Sequence, residues 1–334
     1  MKKIISIFTF AVLCVSMVLT PVYAYENDID KSNIVSEEGI TLITRNIADG
    51  TSEKWVYTPS EIQTYSELVI PPTYPTDVVY EEDIDVMPMS TSTDNRVRLT
   101  GSSINSGVGY LYCGFDTNGD GIDDAWTEST ASVQLHDIII SCAHAVWRAE
   151  YTNNNDGWAQ NIKFYAGEDS KGVYIEYAKG IKPTVSQTYV DNTSVEYNSK
   201  GEIVSYTYNF QNDWSIIQVD KDMTRTCLGL GLHGCGDPEL GFDISLIGYP
   251  HDKGKHEQWK SDGKILGFDN NIMHYNAYNT VGFSGGPLID SGCLVYGINT
   301  HIYIPSNEAR GTRMYPWLFG LILQCREESR GRWE

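Results

Sequence analysis

The chain has 334 residues, 41% of them hydrophobic, with a formal net charge of -20 and a pI near 4.6. A chain of this length buries one large core or two small ones, so disorder is not its default state. Its negative field works against nucleic acid and anionic membrane surfaces as partners.

Lys2 and Lys3 precede an apolar run from Ile4 to Leu19, which ends in small residues at Val22 and Ala24. That is the layout of a secretory signal, residues 1-24, cleaved after Ala24 and directing the chain out of the cell. The run is shorter than the ~20 residues a spanning helix needs, so no membrane contact is expected once it is gone. Cys113, Cys142, Cys227, Cys235, Cys293 and Cys325 would then meet an oxidising exterior. Disulfides are an expectation, with Cys227 and Cys235 as the first pair to consider, although spacing alone does not choose among the pairings.

Residues 25-94 are acid-rich, contain Pro71, Pro72, Pro75 and Pro88, and finish in a polar stretch ending at Asp94. That composition suits proteolytic access and reads as a propeptide, the other reading being a mobile N-terminal extension. Residues 95-334 then form the main domain. They run in short Val-, Ile-, Tyr- and Thr-rich segments between turn residues, as in 131–136, 138–141, 172–177 and 294–298, which read as strands. A helix is expected over 315–324, with Pro316 in its first turn. The expected fold class is all-β: two closed six-stranded antiparallel β-barrels with a C-terminal α-helix.

Asp116, Asn118, Asp120 and Asp124 alternate along a loop with Gly121 at its sharp turn, the spacing of a calcium-wrapping loop. The loop resembles those of dockerins and thrombospondin repeats, and a structural Ca²⁺ is the expectation. An acidic hairpin turn explains the same residues. The chemistry itself needs no cofactor.

Three segments carry that chemistry: 138–145 with His144, 212–218 with Asp213, and 281–288 with Ser284. A serine hydroxyl is a poor nucleophile until an imidazole takes its proton, and the imidazole needs a carboxylate to fix its tautomer. The chain order His, Asp, Ser is that of chymotrypsin. Gly282 and Ser284 are placed to aim their N–H groups together at an oxyanion. The 282–286 sequence also matches a nucleophile elbow, but strand and turn residues follow it where a hydrolase needs a helix.

Together with Arg96–Thr100, Ile247–Lys253, Ser261–Ile265 and Ala309–Arg313, these segments resemble the bacterial glutamyl endopeptidases, the V8-like branch of the chymotrypsin-like serine proteases. The resemblance covers about residues 95–324. It implies a barrel pair with the triad in the cleft, secretion as an inactive precursor, and a mature N-terminus near the substrate pocket. Relatives that cut after glutamate hold its carboxylate with a histidine and a threonine, whose positions are Asn299 and Asn279 here. His301, two residues along the same strand, is the expected substitute, and Thr280 adjoins the pocket. Preference for glutamate at P1 is one expectation and for an uncharged side chain the other, since neutral amides receive both.

The leading reading is a serine endopeptidase acting on proteins or peptides, with nothing demanding more than a monomer. The rival from another class is a calcium-dependent binding protein on an inactive protease scaffold.

Overall fold

The computed structural model describes residues 39–58, 69–75, 94–152, 156–234, 236–254, 256–303 and 308–334. The expected signal, most of the polar stretch before Asn95, and Cys235 lie outside them. No helix among the described residues is long and apolar enough to cross a membrane.

Four short strands come first: β1 (Ile40–Arg45), β2 (Ser52–Tyr57), β3 (Val69–Ile70) and β4 (Val97–Arg98). Next are β5 (Val108–Phe115), β6 (Ala125–Leu135), β7 (Ile138–Ser141), β8 (Asn161–Ala166) and β9 (Glu176–Ser186). The hairpin β10 (Ser194–Tyr197) and β11 (Ile203–Thr207) precedes β12 (Ser215–Val219) and β13 (Gly231–His233). The last six strands are β14 (Asp243–Gly248), β15 (Trp259–Asp269), β16 (Ile272–Tyr275), β17 (Pro287–Ile289), β18 (Leu294–Tyr303) and β19 (Glu308–Arg313). The helices are α1 (Ala143–Val146), α2 (Gln187–Asp191) and the terminal α3 (Pro316–Trp333).

Two closed six-stranded antiparallel barrels result. The first runs β12-β7-β6-β5-β8-β9 and is closed by pairing of β9 with β12; the second runs β17-β14-β15-β16-β19-β18 and is closed by β17 with β18. Alternation explains how the strands face: in β8, Ile162, Phe164 and Ala166 point inward while their neighbours stay half-exposed. Leu111, Val133, Ile139 and Phe164 fill the first barrel, and Leu246, Ile265, Phe283 and Leu288 the second. A third cluster including Trp214, Tyr249, Ile298, Leu318 and Phe319 welds the barrels to each other and to α3. Each such side chain contributes about 1.5 to 3 kcal/mol on leaving water.

Two expectations shift. The strand foreseen over 172–177 begins only at Glu176, because Gly172 sits at φ 72° in a turn that Asp169 closes by accepting the N–H groups of Lys171 and Val173. The terminal helix runs to Trp333 rather than stopping at Gln324. Its last turns are held by Arg332 and Ser329, which reach the buried carboxylate of Asp137 on the first barrel.

The segment read as a propeptide supplies strands to both sheets. β9 pairs with β8 over its first half, and β1 takes its open edge at Thr184–Ser186. β3 pairs with β13, which runs alongside β18. Edge amides that barrel closure leaves unpaired are thereby covered.

Candidate active site

His144 lies on α1, the single turn that follows β7, and Asp213 follows the short 3₁₀ turn before β12. Asp213 is fully buried and holds His144 twice: Oδ2 accepts from Nδ1 at 2.7 Å, and Oδ1 accepts the backbone N–H at 3.0 Å. Its own neighbourhood is pinned. Trp214 Nε1 donates to Tyr315 O–H at 3.2 Å, and Ser215 Oγ donates to the Cys142 carbonyl at 3.0 Å, tying β12 to the turn that carries His144. Burial works to push the imidazole pKa down, but the charge of Asp213 and the hydrogen bond to it hold His144 well above 6.5.

Ser284 comes from the second barrel. Gly282, at φ 97°, and Gly285, at φ 80°, fold the loop into a shape that only glycine accepts. A Cβ on Gly282 would lie 2.2 Å from the Tyr249 carbonyl, and one on Gly285 2.1 Å from Ser141 Oγ. The loop spends the amides of Phe283 and Gly285 on the carbonyls of Thr280 and Asn299. Those of Gly282 and Ser284 have no acceptor among the described residues, which leaves them available to an oxyanion. Thr130 on β6 clamps the loop from the first barrel: its Oγ1 donates to the Gly282 carbonyl and its N–H to the Ser284 carbonyl, both at 2.8 Å.

The hydroxyl of Ser284 donates to the Thr300 carbonyl at 3.4 Å, and no hydrogen bond joins it to His144. The far nitrogen of the ring contacts Cys142 instead, whose Sγ lies 3.5 Å from Nε2. Long or misaligned nucleophile contacts are common in substrate-free sites and tighten on binding.

The expected substrate residues gather beside this loop. Asn279 and Asn299 bond reciprocally at 2.8 and 3.0 Å, Asn279 Nδ2 also donates to the His301 carbonyl at 3.3 Å, and Tyr275 O–H donates to Asn299 Oδ1. Both amides are therefore occupied with each other. His301 does not simply share the Asn299 face: the register slips between them, and its ring stacks on Phe210 at 3.6 Å. Burial pushes the imidazole down to about 3, so it is neutral. Thr280 accepts from the Phe283 amide. Arg96, near the expected mature start, pairs with Asp94 and Asp252 at 2.6 Å and lies 4.4 Å above the ring of Tyr278, next to Asn279.

The acidic loop is organised by its own backbone. Asp116 accepts the N–H groups of Asn118, Gly119, Asp120 and Gly121, while Asp124 accepts from Thr117. Asp116, Asp120 and Asp124 do not converge to coordination distance, and among the described residues only Cys142, His144 and Asp213 form such a cluster. The five described cysteines form no disulfide with one another, and the Cys227–Cys235 pairing has its second partner outside the described residues.

Sequence reading missed Thr130, Tyr275 and the role of Cys142. Thr130 and Tyr275 sit in ordinary strand text and act only through folding. Cys142 stood two residues from His144 and was read as a disulfide candidate.

No known family profile matches the chain. A solved structure of Glu endopeptidase in complex with MPD superposes with a TM-score of 0.52 at 18% identity, covering 70% of this chain and 98% of that one. A thermostable serine protease, AL20, from an extremophilic microorganism gives 0.47 at 13% identity, covering 68% and 98%. Fibronectin-binding protein A of Staphylococcus aureus (strain MRSA252) is 25% identical over 141 residues, 42% of this chain, and the chain spans 14% of that protein's length. The likeness to Glu endopeptidase shows the fold: a chymotrypsin-like pair of barrels.

Proposed function

We propose that the chain is a secreted serine endopeptidase of the glutamyl endopeptidase group, made as a precursor and cut before Asn95. One observation carries the reading: the His144–Asp213 pair of one barrel lies at the loop of the other in which the Gly282 and Ser284 amides have no acceptor. Ser284 Oγ leaves the Thr300 carbonyl, attacks the scissile carbonyl and passes its proton to His144 Nε2. The two amides receive the oxyanion. His144 then protonates the departing amine, and water attacks the acyl-enzyme by the same route with His144 again as base. Asp213 keeps its charge throughout and stabilises the imidazolium.

The P1 pocket is formed by Asn279, Thr280, Asn299 and His301. Its neutral amides and neutral imidazole support an uncharged polar P1 side chain, and cleavage after glutamate requires a proton on His301. The same reading places a structural Ca²⁺ at Asp116, Asn118, Asp120 and Asp124, where Asp116 already organises the loop by accepting its amides, and equal melting temperatures in Ca²⁺ and in EDTA would remove it from the account.

Labelling by a serine-directed phosphonate, with the Ser284→Ala variant as control and a P1-varied peptide library as substrate, tests the whole. Labelling and cleavage that vanish in the variant are expected. A protein that neither labels nor cleaves is no peptidase, and the reading as a binding scaffold takes its place.

A further inference from the structure

We propose that Cys142 and His144 form a binding site for Zn²⁺ that switches the protease off reversibly. The site is built from three observations. Cys142 Sγ lies 3.5 Å from His144 Nε2. Zinc bonds to sulfur at about 2.3 Å and to imidazole nitrogen at about 2.0 to 2.1 Å, so at a tetrahedral angle the sulfur and nitrogen stand about 3.5 Å apart. The pair already spans one edge of a zinc tetrahedron.

Asp213 supplies the second. A ligating histidine commonly donates its other ring N–H to a carboxylate, which fixes the tautomer and aims the free lone pair at the metal. Here Nδ1 donates to Asp213 Oδ2 at 2.7 Å, so the Nε2 lone pair faces Cys142. The arrangement that prepares His144 as a base also prepares it as a ligand.

The third concerns the remaining positions. The Ser284 loop packs directly on Cys142: a Cβ on Gly285 would stand 3.0 Å from the Cys142 amide nitrogen. The Ser284 hydroxyl spends its hydrogen on the Thr300 carbonyl, leaving its lone pairs free. Water from the cleft would complete the sphere, with the Ser284 loop walling the site. A thiolate and an imidazole select a borderline-soft cation such as Zn²⁺ over Ca²⁺ or Mg²⁺.

On binding, the Cys142 thiol and, in the imidazolium form, His144 Nε2 give their protons to solvent, and sulfur and Nε2 each donate a pair to the metal, with no change of oxidation state. The occupied Nε2 is the atom that must deprotonate Ser284, so occupancy stops hydrolysis. That last step rests on the proposed function; the site itself does not.

Co²⁺ is the probe for the wild-type protein, because cobalt bound to a thiolate shows a sulfur-to-metal charge-transfer absorption. The expected result is that band, its loss on adding Zn²⁺, and its absence from Cys142→Ala and from the closer-sized Cys142→Ser, each checked for folding by near-ultraviolet circular dichroism. In hydrolysis assays, Zn²⁺ inhibition reversed by EDTA should need at least about tenfold more metal in the Cys142 variants, each measured against its own uninhibited rate. A folded wild-type protein with no band overturns the site, as does a band that persists unchanged in both folded variants, which would assign it to another cysteine of the chain. A band without peptidase activity would leave the metal site standing and remove the proposed function, so the two failures are distinguishable.

Discussion

The hydroxyl of Thr130, on the first barrel, donates to the carbonyl of Gly282, on the second, at 2.8 Å. The same oxygen accepts the N–H of Tyr249 at 3.1 Å, and the Thr130 amide donates to the Ser284 carbonyl at 2.8 Å. One fully buried residue thus holds the carbonyls of both residues whose N–H groups would receive the oxyanion. Thr130→Val keeps the shape and leaves the Gly282 carbonyl and Tyr249 amide without this partner, at about 1 to 3 kcal/mol of stability. We expect kcat to fall with KM nearly unchanged, by less than the roughly 100- to 1,000-fold that follows losing an oxyanion donor outright. Steady-state kinetics beside a melting curve checks this; an unchanged kcat would show that the clamp is dispensable.

Asp213 determines the pH response. The neutral imidazole is the working base, and its pKa is held well above 6.5, so kcat/KM should rise with pH through that elevated value. Folding is linked to the same proton: the stability gained from the charged pair is fully present below about 6.5 and is lost as pH rises through the folded value. Asp213→Asn should remove that loss and lower kcat by about 10⁴-fold through the wrong tautomer. Melting temperatures and rates measured across one pH series test both signs.

Much of this was legible in the sequence, for identifiable reasons. His144, Asp213 and Ser284 each follow or precede an apolar strand, and their chain order selects one barrel topology. Gly282 stands where the backbone must turn to aim its N–H, and the structure gives it φ 97°. What stayed hidden depends on long-range contact. Asn299 and His301 look like same-face neighbours, but the register slip between them breaks the period of two. The helix past Gln324 depends on Asp137, which is 187 positions before that residue and has no local signature.

The neutrality of His301 has its own consequence for specificity. With the imidazole pushed down to about 3 by burial, the free pocket has no charge there to offer a glutamate carboxylate. Cleavage after glutamate must therefore take up a proton on binding. Its kcat/KM should fall relative to that for a P1 glutamine by up to about tenfold per pH unit, the slope of one proton taken up. His301→Ala should abolish cleavage after glutamate while sparing the glutamine substrate more. A ratio of the two substrates that does not change with pH would remove His301 from carboxylate recognition.

The strands before Asn95 decide what processing leaves behind. Leu42 is fully buried among the residues that join the barrels to α3, Ile43 enters the first-barrel core, and the Tyr57 ring meets Trp317 edge-on at 6.2 Å. At β13, a Cβ on Gly231 would lie 2.5 Å from the Ile70 carbonyl, so β3 approaches as closely as a glycine permits. A segment with that much buried contact does not leave because one peptide bond is cut. Cleavage before Asn95 should therefore yield two pieces that co-elute on gel filtration and part only in denaturant. Leu42→Ala should cost about 2 to 5 kcal/mol, lowering the melting temperature by roughly 5 to 15 °C in precursor and cut protein alike. If the cut segment instead washes away and the remainder melts at the same temperature, the strands are a detachable cover, and the enzyme's stability resides in the barrels and α3 alone.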